Sequence, residues 1–189
     1  MMEKLCQTEL RTKRRILLED SLLDLMKERR YQDISVKDIC LRAQIPRRTF
    51  YHYFDCKESV LHAVVENMLN ECSLEVMLEF NAGLNAMRES MIRNFRYWQG
   101  PARWKLDLLL DNSLSGEVTQ CVLRWLESEH TGVPSISVAD EKEKAIIKKV
   151  GASGFFTLLV YWRENEYRET PEEMAEISIR ILAKPLFPH

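Results

Sequence analysis

Hydrophobic and polar residues recur along this 189-residue chain mostly with the period of an α-helix. In the first such segment, residues 9–29, Leu18, Leu22 and Leu25 fall on one helix face. The same spacing predicts further helices at residues 35–43, 46–54, 55–80, 85–98, 104–110, 118–126, 139–165 and 170–184. No segment has the sustained alternation of a half-buried strand. We therefore predict an all-α fold.

Several helix starts are marked by capping residues. Ser35 followed by Asp38 forms a capping-box pattern, in which the serine accepts from a free backbone amide and the carboxylate complements the helix dipole. Asp55 with Glu58 repeats this pattern, and residues 170–173 add a first-turn proline to it. The clearest loop lies at residues 130–138, which contain glycine, proline and several Ser or Thr residues.

Residues 35–61 predict two short helices joined by a tight turn and followed by a third helix. Gln44 and Ile45 form the turn, and Pro46 opens the next helix with a preset φ and no unpaired amide. That middle helix has an outward polar set, Arg47, Arg48, Thr49 and His52, and an inward apolar pair, Phe50 and Phe54. Such a helix can present basic and hydrogen-bonding side chains to a DNA major groove while its apolar face anchors it.

Four short motifs in this segment carry a family resemblance: Val36-Lys37-Asp38-Ile39-Cys40, Ala43-Gln44-Ile45, Thr49-Phe50-Tyr51-His52-Tyr53-Phe54 and Lys57-Glu58. Together they resemble the DNA-binding signature of the TetR family of bacterial transcriptional regulators. The resemblance implies an N-terminal three-helix helix-turn-helix DNA-binding domain, residues 1–56, and a larger helical effector-binding and dimerisation domain, residues 57–189. Gln44 and Pro46 stand where the family usually has glycine and serine. Gln44 is therefore expected to adopt a turn geometry that suits glycine.

The charge of the chain is unevenly distributed. The net charge is −2, but residues 1–61 hold 13 Lys and Arg against 10 Asp and Glu, leaving 14 against 19 for the remainder. Only residues 1–61 carry a net positive charge, so only this part of the chain is suited to bind a polyanion. Lys13, Arg14 and Arg15 lie near the predicted start of the first helix, where cations oppose the dipole. Nearby phosphates would reduce that cost, and an ordinary solvated face is the alternative.

The cysteines predict neither a disulfide framework nor a zinc site. They are five in number, scattered and without a CxxC pair, so we expect reduced thiols. His52 and Cys56 lack further ligands, and we expect no metal and no cofactor. Cys56 as an oxidant sensor is less favoured than an inert thiol. The longest apolar runs are too short to span a membrane, and no leader pattern begins the chain, which predicts a cytoplasmic location.

The residue types around the predicted turn suggest how DNA would be bound. The candidate contacts are Arg47, Arg48, Thr49, Tyr51, His52, Lys57, Ser35 and Lys37. An arginine fork suits guanine or phosphate oxygens, whereas Thr49, Tyr51 and Lys57 match positions that bind the phosphate backbone in the family. The alternative is that the arginines are solvated surface charges and that Tyr51 buries its ring.

The second half of the chain offers candidates for an effector pocket and a dimer interface. Aromatic and methionine side chains that could line a cavity are Met87, Met91, Trp98, Trp104, Trp125 and Phe155. Core packing is the favoured alternative for each of them taken singly. Small and apolar residues that would let helices approach closely in a dimer are Gly151, Gly154, Leu158, Ile177 and Ile181.

These observations predict a transcription regulator that binds a palindromic operator as a homodimer, most simply a repressor released or modulated by a small-molecule or protein effector. Two reading helices about 34 to 36 Å apart would contact consecutive turns of DNA. An enzyme is the first alternative, but no nucleophile elbow, phosphate loop, HExxH or paired catalytic acids are present. A helical adaptor whose helix-turn-helix binds protein is the second.

Overall fold

The fold is helical throughout the part of the chain that the computed structural model describes, residues 2–72, 84–127 and 140–183. The helices are α1 (Met2–Glu28), α2 (Val36–Ala43), α3 (Arg47–Phe50), α4 (Lys57–Glu71), α5 (Leu84–Gln99), α6 (Arg103–Asp111), α7 (Ser115–Glu127), α8 (Glu141–Glu164) and α9 (Pro171–Ala183). A 3-10 turn, Tyr31–Asp33, joins α1 to α2. Within these ranges there is no strand, and the all-α prediction is confirmed. None of the described helices is long and apolar enough to cross a membrane.

Residues 18–61, which we call the head, pack around a continuous apolar centre. Leu18 and Leu22 of α1, Ile39 of α2 and Phe50 of α3 are fully buried, and Leu61 of α4 is nearly so. Burying one such side chain stabilises the fold by about 1.5–3 kcal/mol. The three-helix arrangement predicted from the periodicity is therefore held by its own core.

The predicted cap of α2 is present in full. The Ser35 backbone amide donates to Asp38 Oδ2 at 2.9 Å, and the Asp38 amide donates to Ser35 Oγ at 3.3 Å. The Ser35 hydroxyl also donates to Asp38 Oδ2 at 2.6 Å. These bonds, with the Arg29 guanidinium beside the carboxylate, lower the pKa of Asp38 to about 2. The start of α2 is thus fixed by local chemistry.

The turn after α2 forces one residue into the left-handed region, as predicted for Gln44. Gln44 has φ 53° and ψ 36°. The next amide, that of Ile45, reaches back to the carbonyl of Cys40 at 3.0 Å, which is the long bond of a Schellman turn. Ile45 is buried, so the turn is also anchored by an apolar contact. A side chain at Gln44 therefore carries a conformational cost that glycine would avoid.

Replacing Gln44 by glycine is expected to stabilise the protein. Relief of the left-handed strain is partly offset by the greater freedom of glycine in the unfolded chain, which leaves a net gain of up to about 1 kcal/mol. Urea unfolding followed by circular dichroism would measure it. Gln44→Ala is the matched control, because alanine keeps the Cβ and should show no such gain. Glycine and alanine variants of equal stability would contradict the role given to the backbone.

Two predicted helix starts were wrong: that of α4 by one residue, and that of α1, which was predicted at residue 9 and lies at Met2. Cys56, not Asp55, is the N-cap of α4, and its Sγ lies 3.1 Å from Ser59 Oγ. α1 begins at Met2, so residues 13–15 lie in its fourth turn. The argument from cations at a helix start therefore does not apply to them, since the dipole effect is confined to the first turn. The extension of the fourth helix to residue 80 and the loop at 130–138 lie outside the described residues.

The remaining helices, α5 to α9, share a second aromatic centre. The ring of Phe95 lies 5.2 Å from that of Phe155 and 5.3 Å from that of Trp162, centroid to centroid. The predicted start of α9 is confirmed, because the Thr170 amide donates to Glu173 Oε2 at 2.8 Å and the Glu173 amide donates to Thr170 Oγ1 at 3.2 Å. α9 packs along α5, and this pairing closes the second centre.

The head is joined to the later helices by packing and by one buried hydrogen bond. α4 packs against both α1 and α7. The backbone amide of Tyr31 donates to Asn112 Oδ1, just after α6, at 2.6 Å. Lys27 Nζ lies 4.7 Å from the centre of the Trp104 ring. The division of the chain after residue 56 remains a prediction, because α4 belongs by its contacts to both parts.

Candidate nucleic-acid interface

The short helix α3 presents a polar surface that is supported from below by aromatic rings. Its exposed side chains are Arg47 and Arg48, and Tyr51 and His52 are exposed in the turn that follows, because α3 ends at Phe50 and not at residue 54 as predicted. Phe50 is fully buried, and its ring lies 5.9 Å from that of Phe54 and 5.4 Å from that of Tyr51. The inward and outward faces of α3 are therefore those expected from the sequence, and the aromatic anchor holds the exposed face in place.

Arg47 is well placed to bind an external acceptor. One of its terminal nitrogens lies 3.5 Å from the Tyr51 hydroxyl, at the limit of a hydrogen bond. A guanidinium has five N–H donors in a planar fork, so four remain for a base edge or a phosphate. Arg48 and His52 lie exposed beside it, and Thr49 is half-buried. The four side chains form one contiguous cationic and hydrogen-bonding face.

Ser35 and Lys37 lie at the start of α2, whose other end leads into the turn before α3. Both are exposed. The Ser35 hydroxyl already takes part in the cap with Asp38, so it can offer a phosphate only what remains of its hydrogen-bonding capacity. The Lys37 ammonium carries no such commitment within the cap. Of the two, Lys37 is the better candidate for a contact with DNA.

Lys57 is engaged inside the head to an extent that the sequence did not suggest. Its ammonium donates to the carbonyl of Tyr31 at 2.8 Å and to that of Ile34 at 2.7 Å. It also lies 4.2 Å from the centre of the Tyr31 ring. An ammonium has three N–H donors, which leaves one for a phosphate. Lys57 thus connects the start of α4 to the segment between α1 and α2. This structural role does not depend on any contact with DNA.

Removing the Lys57 ammonium is expected to destabilise the fold. Lys57→Met keeps the length of the side chain but leaves two carbonyls without their charged donor, at a cost of about 2–4 kcal/mol. Chemical unfolding would measure this loss. Lys37→Met is the control, since it removes an exposed ammonium from the same region and should change stability by less than about 0.5 kcal/mol. Equal effects from the two changes would mean that the Lys57 contacts contribute nothing.

The six residues predicted to line an effector pocket do not all meet. Met87, Met91 and Trp98 of α5 are buried, as is Phe155 of α8. Trp104 points to solvent on α6, beneath Lys27, and Trp125 of α7 is half-buried and donates to Asn70 Oδ1. Only the α5 and α8 members therefore share one region.

The residues predicted for a dimer interface lie on an uncovered face of α8 and α9. Gly151, Gly154 and Ile181 are exposed, while Leu158 and Ile177 are half-buried. A row of exposed side chains follows α8 at spacings of three and four residues: Ile146, Val150, Gly154, Thr157 and Tyr161. Ile146 is 53% exposed and Val150 66%. Since Phe155, Phe156 and Trp162 on the other side of α8 are buried, this helix is apolar on two faces.

Comparison with known proteins identifies the head. Residues 20–64, from the second half of α1 into α4, match the family described as bacterial regulatory proteins, tetR family. The head carries the DNA-binding segment of the TetR family. The matched residues include the whole of the helix-turn-helix and its buried supports, so the resemblance inferred from the four short motifs is confirmed.

Two sequence relatives match the chain over a limited part of its length. The transcriptional regulator EthR of Mycobacterium tuberculosis is 34% identical over 70 residues, which are 37% of this chain and 32% of EthR. The dhaKLM operon transcriptional activator DhaS of Lactococcus lactis is 41% identical over 51 residues, 27% of each protein. The chain thus aligns with a third or less of the length of these relatives.

Two solved structures of TetR-type or related regulators align with most of the chain at low identity. The repressor AlkX from Dietzia is 19% identical, with 89% of this chain and 92% of AlkX covered and a TM-score of 0.44. The fatty acid degradation regulator FadR from Bacillus halodurans is 13% identical, with 93% and 97% covered and a TM-score of 0.47.

The structure also reveals a connection that the sequence did not indicate. The hydrogen bond from the Tyr31 amide to Asn112 joins residues 81 positions apart. No local pattern marks such a pair. The same holds for Lys57, whose carbonyl partners lie 23 and 26 residues away in the chain.

Proposed function

We propose that this protein is a sequence-specific DNA-binding transcription regulator that acts as a homodimer on a palindromic operator, with no catalytic step of its own. The observation that carries the proposal is the exposed face of α3, where Arg47, Arg48 and His52 stand on a helix anchored by Phe50. That face lies within the matched TetR segment. Arginine forks in this setting would bond guanine edges and phosphates.

Dimerisation is supported by the second apolar face of α8. Ile146, Val150 and Tyr161 expose apolar surface to water, which is unfavourable. Packing this face of α8 against a second copy of the chain would bury that surface. Gly151 and Gly154 have no heavy atom within 4 Å of where a Cβ would stand, so another helix can come close there. With α9 beside it, α8 would form a four-helix interface across the two-fold axis.

Selection of bound duplexes from a random DNA pool tests the proposal. A dimer with two equivalent heads should enrich an inverted repeat whose half-sites lie about one helical turn, 34 to 36 Å, apart. Recovery of unrelated sequences at low salt, with the protein folded, would overturn it. A salt titration separates DNA binding from an adaptor role, because phosphate contacts release counterions and weaken steeply as salt rises.

The direction of regulation needs its own measurement. We propose repression, because a dimer seated on a promoter would exclude polymerase. DhaS, a relative over 51 residues, is by name a transcriptional activator, so this similarity does not decide whether the protein represses or activates. Transcription in vitro from a promoter that carries the selected site should fall as the protein is added. A rise would replace repression by activation without affecting the DNA-binding proposal.

An effector would bind beside α5. Met87, Met91 and Trp98 of α5 are buried, as is Phe155 of α8. α5 also holds a polar group that is unusual in a core: Asn94 is 1% exposed and accepts from the Cys72 thiol at 2.6 Å. A ligand with its own hydrogen-bonding group could exchange with this pair. It would act by favouring a dimer whose heads stand at the wrong separation, and only to the extent that it binds that dimer more tightly.

A further inference from the structure

The N-terminal half of α1 leaves the head as an exposed helix that is rich in cations. Every described side chain from residue 9 to residue 17 is exposed, whereas Leu18 and Leu22 directly after it are fully buried. Residues 9–17 contain four Arg or Lys and a single carboxylate. A projecting helix with this composition is suited to a negatively charged partner.

The arginines of this segment lie on one defined face. Arg11, Arg14 and Arg15 are three and four residues apart, so their side chains share one side of the helix. Leu18 and Leu22, seven and eleven residues beyond Arg11, continue the same side. The side of α1 that packs into the head through Leu18 and Leu22 therefore carries arginines in the exposed N-terminal part of the helix. We call these three arginines the arginine face. Lys13 points to the opposite side.

A contact within the head fixes where this arginine face begins. The Arg15 guanidinium carbon lies 5.6 Å from the centre of the Phe54 ring, which follows α3 and packs against Phe50. Arg15 is also held by an ion pair to the buried Glu19 at 3.1 Å. With a rise of about 1.5 Å per residue, Arg11 lies about 6 Å farther along the axis. The arginine face thus starts beside the end of α3 and extends outward from it.

We propose that Arg11 and Arg14 bind backbone phosphates of the DNA next to the groove that α3 enters. The inference rests on the proposed function and adds a second contact surface to it. Two guanidiniums on a solvated helix complement the charge of the duplex, and Arg15, on the same side of α1, lies against the buried Phe54 ring that supports α3. Such contacts add affinity on any sequence and carry no sequence information.

The test compares two double variants that lose the same charge. Arg11→Gln/Arg14→Gln removes two residues of the arginine face, whereas Lys13→Gln/Arg168→Gln removes one cation from the opposite side of α1 and one exposed cation near α9. Fluorescence anisotropy would follow binding to the selected site, with a full helical turn of flanking DNA on each side, over a range of salt concentrations. A scrambled duplex of the same length is measured in parallel.

The first variant should bind both duplexes about fivefold or more weakly at low salt, with an unchanged ratio between them. The slope of log affinity against log salt should decrease by about 0.9 for each phosphate that the variant no longer neutralises. The control variant should retain the wild-type slope. Equal slopes for all three proteins would overturn the proposal while leaving the function of the head intact. A change of mass in light scattering would also overturn it, because the face would then join copies of the chain. Failure of the wild-type protein to bind either duplex would instead reject the proposed function itself.

Discussion

Replacing Arg47 by alanine is expected to reduce the preference for the selected operator over a scrambled duplex by about 5- to 150-fold, the range for one bidentate contact to a base. Arg47 is exposed on α3, and its guanidinium makes only a long contact with Tyr51. The change should therefore cost recognition and little stability. Competition binding between the two duplexes at fixed salt measures the preference directly.

Arg168→Ala is the control for this change. Arg168 is an exposed arginine after α8, so its loss alters the net charge equally but leaves α3 intact. If the Arg47 and Arg168 variants discriminate equally well, Arg47 does not read bases. If the Arg47 variant instead loses affinity for both duplexes by the same factor, Arg47 binds phosphate only, and base reading passes to Arg48 and His52.

Introducing arginine at Gly154 is expected to convert the proposed dimer to monomers. Nothing lies within 4 Å of a Cβ at this position in the protomer, so the larger side chain should be accommodated without loss of fold. In a close packing of α8 against a second copy, however, the arginine would hold the helices apart and bury a charge. Light scattering should then give the mass of one chain, and operator affinity should fall because one head alone binds a half-site.

Gly116→Arg provides the matched control. Gly116 near the start of α7 is also exposed and also has no heavy atom within 4 Å of its Cβ position. Its substitution adds the same side chain on another helix, outside the exposed row of α8, and should leave the proposed dimer intact. A dimeric Gly154 variant would place the interface elsewhere, and monomers from both variants would point to a general effect of added charge.

Features that depend on neighbours in the chain were the ones that the sequence predicted well. The capping box of Ser35 and Asp38, the left-handed Gln44 and the start of α9 each involve residues within four positions of one another. Their chemistry is complete in the local sequence. The start of α4 was misplaced by one residue, because Asp55 and Cys56 both precede the first helical turn and composition favoured the carboxylate.

Features that depend on the tertiary arrangement could not be predicted in this way. Periodicity assigns a side chain to a helix face but does not say whether that face meets another helix. Trp98 and Trp104 looked alike as pocket candidates, yet one is buried on α5 and the other exposed on α6. The carbonyl partners of Lys57 are likewise set by how α4 crosses the end of α1, and this residue, which the sequence suggested only as a phosphate contact, has a structural role.

The backbone amide of Tyr31 donates a hydrogen bond to Asn112, so the exchange rate of its proton depends on how the head is oriented relative to the later helices. Its acceptor belongs to the segment after α6, whereas its donor lies at the base of α2, so tilting one against the other must lengthen the bond. Deuterium uptake at this amide, resolved by NMR, would thus distinguish an effector that swings the heads from one that merely fills a cavity. The reporter is part of the backbone, so no residue has to be changed to use it.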